Sequence, residues 1–305
     1  MMIRTMLKWS PLVGAAAVAL ALSAVAGAQG GAVTDANGVP TGAEKPRIPG
    51  QNLNGMHVYL RAGLKTHLPG QHDYPQFLAD WSKILTQHGA VVDGSFHAPG
   101  ADELQGVDVI VMYKGDTGFM TAKERADLMA FVKRGGGIVM IHDALCGPDP
   151  AEMAMLVGGG KKHGEVNYTL DANVPYHIVD PASPIMKGVK DFALKPEESF
   201  YKMTWAESPK IHVLATATID DTPAARQGGG VGQVVPQIWT YEHALPGGQP
   251  ARAFVWMQGH EYANLGNPMI ENMLLRGIAW AGKHPVDELV DYKQPPAPPR
   301  PARQG

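Results

Sequence analysis

VDVIVMYKGDTGFMTAKERADLMAFVKRGGGIVMIH, residues 107–142, reads as strand, helix and strand in succession. Val107 to Tyr113 is a nearly continuous apolar, β-branched run, the composition of a strand covered on both faces in a parallel sheet. Thr121 and Glu124 then stand at the spacing of a capping box, in which each side chain accepts from the other's backbone N–H and fixes a helix start. The helix runs to Arg134, stops at Gly135-Gly136-Gly137, and the chain re-enters the sheet at Ile138 to Ile141. A strand, a crossover helix and a second strand in that length make a parallel unit.

Outward from this unit the same alternation continues. Met56 to Leu60 is a short strand, and Phe77, Leu78, Trp81, Ile84 and Leu85 share one face of a helix over Pro75 to His88 that Asp73 can cap and Gly89 ends. Ile211 to Ala217, Gln237 to Tyr241 and Arg252 to Met257 read as further strands, and Asn267-Pro268 opens a closing helix to Ala281. The pattern predicts an α/β fold: a doubly wound, mostly parallel sheet with helices on both faces, a flavodoxin-like three-layer sandwich.

The ends of the chain differ from this middle. Arg4 and Lys8 precede an apolar run from Pro11 to Ala26 and the small residues Ala24 to Ala28, the layout of a secretory signal peptide over residues 1–28. Cleavage after Ala28 predicts a periplasmic or secreted bacterial protein without stable membrane insertion. Residues 29–54 read as a linker, 55–293 as one domain, and 294–305 as a Pro-rich tail. Of 305 residues, 26 are Lys or Arg and 29 Asp or Glu, a net charge of −3 without a basic run, so nucleic acid is not an expected partner. The single cysteine, Cys146, excludes an internal disulfide framework.

In doubly wound sheets ligands lie beyond the carboxyl ends of the strands. Twelve histidines are present, and five fall in such places: His67 and His72 after the first strand, His142 directly after Ile141, His163 beyond Gly158-Gly159-Gly160, and His260 after the Arg252 to Met257 strand. Taken singly, each is an ordinary loop histidine; together they offer metal ligands and proton shuttles near neutral pH. Glu198, among the aromatics of Pro196 to Tyr201, is either a solvated loop acid or a buried one with the raised pKa of a general acid or base. Asp143 orients or caps. Gly158 to Lys162 lacks the preceding strand of a phosphate loop and reads as flexible backbone, and no G-x-S-x-G or H-E-x-x-H signature occurs.

In order along residues 56–283, the His67 to His72 loop, Phe131 to His142, Val157 to His163, Glu198 to Tyr201, Gly259-His260 and Gly277 to Ala281 resemble the ThuA-like (trehalose utilisation) family, relatives of the class I glutamine amidotransferase fold. The resemblance implies carbohydrate catabolism, with a glycoside or oxidised (keto) sugar as substrate. It also implies no thiol-based glutamine hydrolysis, because His142 occupies the elbow where amidotransferases carry cysteine. The expected assignment is proton transfer by His142 and Glu198, with His67, His72, His163 and His260 holding substrate or a divalent ion, zinc by imidazole preference. The alternative is a noncatalytic carbohydrate-binding protein on the same fold.

Overall fold

The computed structural model describes residues 55–207 and 210–293, together with two short strands, β1 (Val33–Thr34) and β2 (Pro40–Thr41), that pair antiparallel with each other. The signal peptide, most of the linker and the Pro-rich tail expected from the sequence lie outside the described residues. β3 (His57–Ala62), α1 (Tyr74–Gln87) and β4 (Val91–Ser95) form one parallel unit. β5 (Val109–Tyr113), α2 (Ala122–Lys133) and β6 (Gly137–Ile141) form a second. The order across the sheet is β6-β5-β3-β4, so the two units grow outward from the β3–β5 pair and the winding direction reverses there. Every residue of β3, β5 and β6 is buried; β5 and β6 are unbroken apolar runs, whereas β3 also buries His57 and Arg61.

Beyond β6 the chain makes β7 (Cys146–Gly147), α3 (Pro150–Val157), β8 (Gly159–Lys162), β9 (Tyr168–Ile178), β10 (Phe192–Phe200) and β11 (Thr204–Trp205). It continues with β12 (Ile211–Thr218), α4 (Pro223–Gly228), β13 (Val234–His243), β14 (Ala251–Trp256) and α5 (Pro268–Ala281). β14 joins the first half by pairing parallel to β6, and β13, β12, β9 and β10 follow it antiparallel to the far edge. The fold is therefore α/β with one large mixed sheet of nine strands, half parallel and half antiparallel, beside a small β11-β8-β7 sheet. The antiparallel half corrects the expectation of a mostly parallel sheet: β13 runs to β14 through a short loop, and the longer β12–β13 connection carries only the short helix α4, so no long crossover helix returns the chain to a parallel neighbour.

Helices cover both faces of the parallel half. Val58, Leu60, Val109, Val111 and Phe254 pack with Phe77 and Trp81 of α1 and Leu274 of α5. The alternate residues Ile110, Met112, Ile138, Met140 and Val255 pack with Phe131 of α2 and Leu156 of α3. The Thr121–Glu124 capping box is present on both arms, and Asn267 caps α5 through its side chain. Asp73 does not cap α1 through its side chain; its carboxylate accepts from Gly70 N–H instead and pairs with Lys65. Gly158 to Lys162 is not flexible backbone, since Gly159–Lys162 is strand β8.

Each glycine of Gly135-Gly136-Gly137 has its own reason. Gly135 takes φ +95°, Gly136 lies under the Phe131 ring, and a Cβ on Gly137 would stand 2.2 Å from the Ala281 carbonyl oxygen at the end of α5. Gly137→Ala is expected to cost about 3 kcal/mol in urea unfolding, the upper end for overpacking. Gly266→Ala, which meets no atom within 4 Å, stays within about 0.5 kcal/mol.

After α5, His284 lies between Glu288 (Nδ1 to Oε2, 2.9 Å) and the buried Asp108 (Nε2 to Oδ2, 3.4 Å), tying the end of the domain to the start of β5. Burial alone would lower this imidazole, but Asp108 and Glu288 outweigh it and the net shift is upward. A raised folded pKa means the stabilisation is complete below the unfolded value, about 6.5, and is lost as pH rises through the folded value. The melting temperature is expected to fall across that window, and His284→Gln to flatten the slope.

Candidate active site

Five of the six residues singled out in the sequence converge. His142 follows β6 directly, His260 follows β14, and His72 reaches over from the loop after β3. His72 Nε2 is 2.8 Å from His142 Nε2 and 2.9 Å from His260 Nδ1. The three donor nitrogens lie within 4.8 Å of one another, and all three residues are buried. Glu198 closes the group, its Oε1 3.1 Å from His260 Nδ1 and its Oε2 3.8 Å from His142 Nε2. His67 packs against His72 with ring centroids 3.8 Å apart and planes tilted by 44°, and stays exposed.

The backbone is bent to make this possible. His67, His72 and His142 have φ of +61°, +46° and +58°, three of only six non-glycine residues in the left-handed region among those described. Such conformations cost of order 1 kcal/mol each and persist where the surroundings impose them. Here the His72 N–H donates to the His260 carbonyl, Tyr113 donates its hydroxyl to the Gly259 carbonyl, and Gly259 itself takes φ +125°.

Partners on the outer ring atoms set the tautomers. His142 Nδ1 is 3.2 Å from the Met257 carbonyl, which can only accept, so Nδ1 carries the hydrogen and Nε2 points a lone pair into the cluster. His72 Nδ1 meets the Tyr74 hydroxyl at 2.9 Å, and burial holds that phenol protonated. His72 itself is pushed far down, first by burial and then by the neighbouring His142, so it enters the cluster neutral. At His260 burial acts downward, but the hydrogen bond and charge of Glu198 exceed it and raise the imidazole. Three nitrogens aimed at one point repel unless a proton or cation lies between them. The donor set is that of zinc and similar ions.

His163 is not part of this group, which corrects the metal set expected from the sequence. Its Nδ1 bonds Asp116 Oδ1 at 2.8 Å, half exposed against Phe119, in a separate cluster with Asp116 and Cys146. It follows β8 of the small sheet, not a strand of the large one. The Cys146 thiol in that cluster is held protonated by burial and bonds Asp116. The expected partition, with His142 in proton transfer apart from the ligands, is also redrawn, because His142 Nε2 points at the same place as the nitrogens of His72 and His260.

Two buried charges behind the site were not singled out. Edge strand β10 shifts register between Leu194 and Glu197 and again before Ser199, and the irregularity buries two consecutive acids. Glu197 accepts from the N–H groups of Gly259, His260 and Glu198 and from Asn264 Nδ2, at 2.8–3.2 Å. Lys161 of β8 donates to Asp143 at 2.6 Å and lies over the rings of Tyr168 and Phe200. Burial opposes both charges; the Lys161 ammonium and then His142 hold the Asp143 carboxyl below its usual range, and Asp143 keeps Lys161 charged. Lys161→Met leaves Asp143 without its cation beside His142, and unfolding at neutral pH is expected to show a loss of about 3 kcal/mol.

A family model for trehalose utilisation, ThuA, matches residues 66–281. Among solved structures, a ThuA-like protein from Parabacteroides merdae is 20% identical, with a TM-score of 0.53 over 75% of this chain and 90% of its own. A ThuA-like protein from Bacteroides uniformis is 18% identical, with a TM-score of 0.52 over 79% and 93%. No curated protein matches the chain. These two structures share the fold, and the family model spans most of the described domain: the chain belongs to the ThuA family, with its glutamine amidotransferase-like fold.

Proposed function

We propose that this chain is an exported enzyme of carbohydrate catabolism, built on a doubly wound three-layer framework, that acts on a glycoside or an oxidised (keto) sugar by acid–base chemistry at Glu198. The observation that carries this reading is the buried triad of His72, His142 and His260 with Glu198 3.1 Å from His260. The family's link to trehalose utilisation supports the substrate class.

His72, His142 and His260 would hold a divalent ion, zinc by preference, and the convergence of their ring nitrogens within 4.8 Å of one another fits that role. When bound, such an ion polarises carbonyl and hydroxyl oxygens of a sugar. Glu198, its Oε1 3.1 Å from His260 Nδ1, is then the group that takes or returns a proton beside the carbonyl. Glu197 fixes the backbone under His260, and the exposed His67 is placed to meet sugar hydroxyls.

Metal analysis of the purified protein, followed by incubation with oxidised and unoxidised disaccharides, tests the reading. Zinc is expected near one per chain. His72→Ala lowers zinc affinity at least about 10-fold, the scale set by disturbing a metal's ligand shell. Glu198→Gln keeps the metal and slows turnover by about 10²–10⁴, the range of a lost general acid or base. Full turnover in metal-free protein removes the ion from the mechanism, and sugar binding without turnover leaves the noncatalytic carbohydrate-binding alternative.

A further inference from the structure

The winding direction reverses between β3 and β5, and the crevice outside the carboxyl ends of such a pair is where open α/β sheets usually bind ligands. In the candidate active site His142 and His260 follow β6 and β14, and His72 reaches them from the far end of the loop after β3. Two cations stand at the ends of β3 and β5 themselves. Arg61, near the end of β3, is 8% exposed, and Lys114 follows β5 immediately. The Arg61 guanidinium donates one hydrogen bond, to the Ala62 carbonyl at 2.7 Å, and Lys114 reaches only the carbonyls of Gly115 and Asp116, at 2.8 and 3.5 Å. Among the described residues neither has an ion-pair partner.

Both side chains line a cavity of about 30 Å³ whose other walls include Leu104, Met112, Phe119 and Leu128. The one acid in the lining is Glu124, and its carboxylate is engaged by the Thr121 N–H in the capping box of α2. Burial lowers the pKa of both cations, and Arg61 lowers Lys114 further, so the fold bears a cost for keeping them together. Donors of a guanidinium left over in a buried, largely apolar cavity call for an acceptor.

We infer that this crevice is a carboxylate-binding pocket, in which the Arg61 fork takes the carboxylate of a small organic anion and Lys114 supplies the second charge. Two cations against Glu124 leave one positive charge in the lining, which matches a monoanion. A planar carboxylate fits the guanidinium fork, while the one further hydroxyl in the lining, that of Thr117, already donates to the Lys114 carbonyl at 3.4 Å and the remaining walls are apolar, which leaves the third oxygen of a phosphate poorly served. A cavity of about 30 Å³ admits a carboxylate group and excludes a sugar ring, so the pocket is separate from the proposed carbohydrate site.

Calorimetric titration of the full chain with acetate, and separately with inorganic phosphate at matched ionic strength, tests this. Saturable acetate binding is expected, weakened about 10- to 100-fold in Lys114→Gln and Arg61→Gln, the range of a lost charge-assisted bond. Glu124→Gln, which keeps a capping-box side chain, should tighten it. Zinc content stays unchanged in all three variants, which separates the result from failure of the histidine site. Should Arg61→Gln not fold, Lys114→Gln decides alone. Acetate binding equal in wild type and Lys114→Gln, saturable phosphate binding without acetate binding, or no binding of either would each overturn the assignment.

Discussion

A carboxylate taken out of water must be given donors, and Glu197 receives four, three of them backbone N–H groups. Because Gly259 and His260 lie just beyond β14 while Glu197 sits on the edge strand β10, this one side chain ties the outermost strand of the antiparallel half to the loop leaving the parallel half. Glu198 follows one residue on, so the same bonds that satisfy Glu197 place its neighbour against His260. Removing the carboxylate would strand the donors and release the strand that carries the candidate acid–base group. The site is therefore a property of the whole sheet, including strands that contribute no ligand.

Strain is distributed in the same economy. Three site histidines hold backbone conformations that an L-residue avoids, and beside them the loop after β14 is bonded twice: its His260 carbonyl accepts from His72 N–H in the loop after β3, and its Gly259 carbonyl accepts from Tyr113 at the end of β5. The loops are held by one another as well as by the sheet. A substitution that relaxed one of these turns would gain locally and lose the convergence of the imidazoles, the usual opposition between stability and function.

What the sequence could disclose followed from burial. β5 and β6 are covered on both faces and so carry continuous apolar runs that name themselves. β9 and β10 contain Pro175, Pro196 and several charged residues, and their pairing is irregular, so no period marked them as strands. His72, His142 and His260 were legible because the carboxyl ends of strands could be located. His163 was misplaced because β8 belongs to the small sheet. Glu197 and Lys161 carried no signal at all: a charged residue looks like surface until its partners are known, and apart from the Glu198 N–H those partners lie 18 to 67 positions away in the chain.

The His72–His260 contact spans 188 residues and His72–His142 spans 70. Contacts at such separation close only after the intervening chain has been ordered, so they contribute little to the early steps of folding. In small zinc modules the ion gathers ligands that stand a few residues apart and drives the chain to fold. Here the order is reversed: the parallel half of the sheet, including β14 from late in the chain, must assemble before the three imidazoles meet, and any ion they hold arrives at a formed framework, where it can stabilise the native state but not direct the chain toward it.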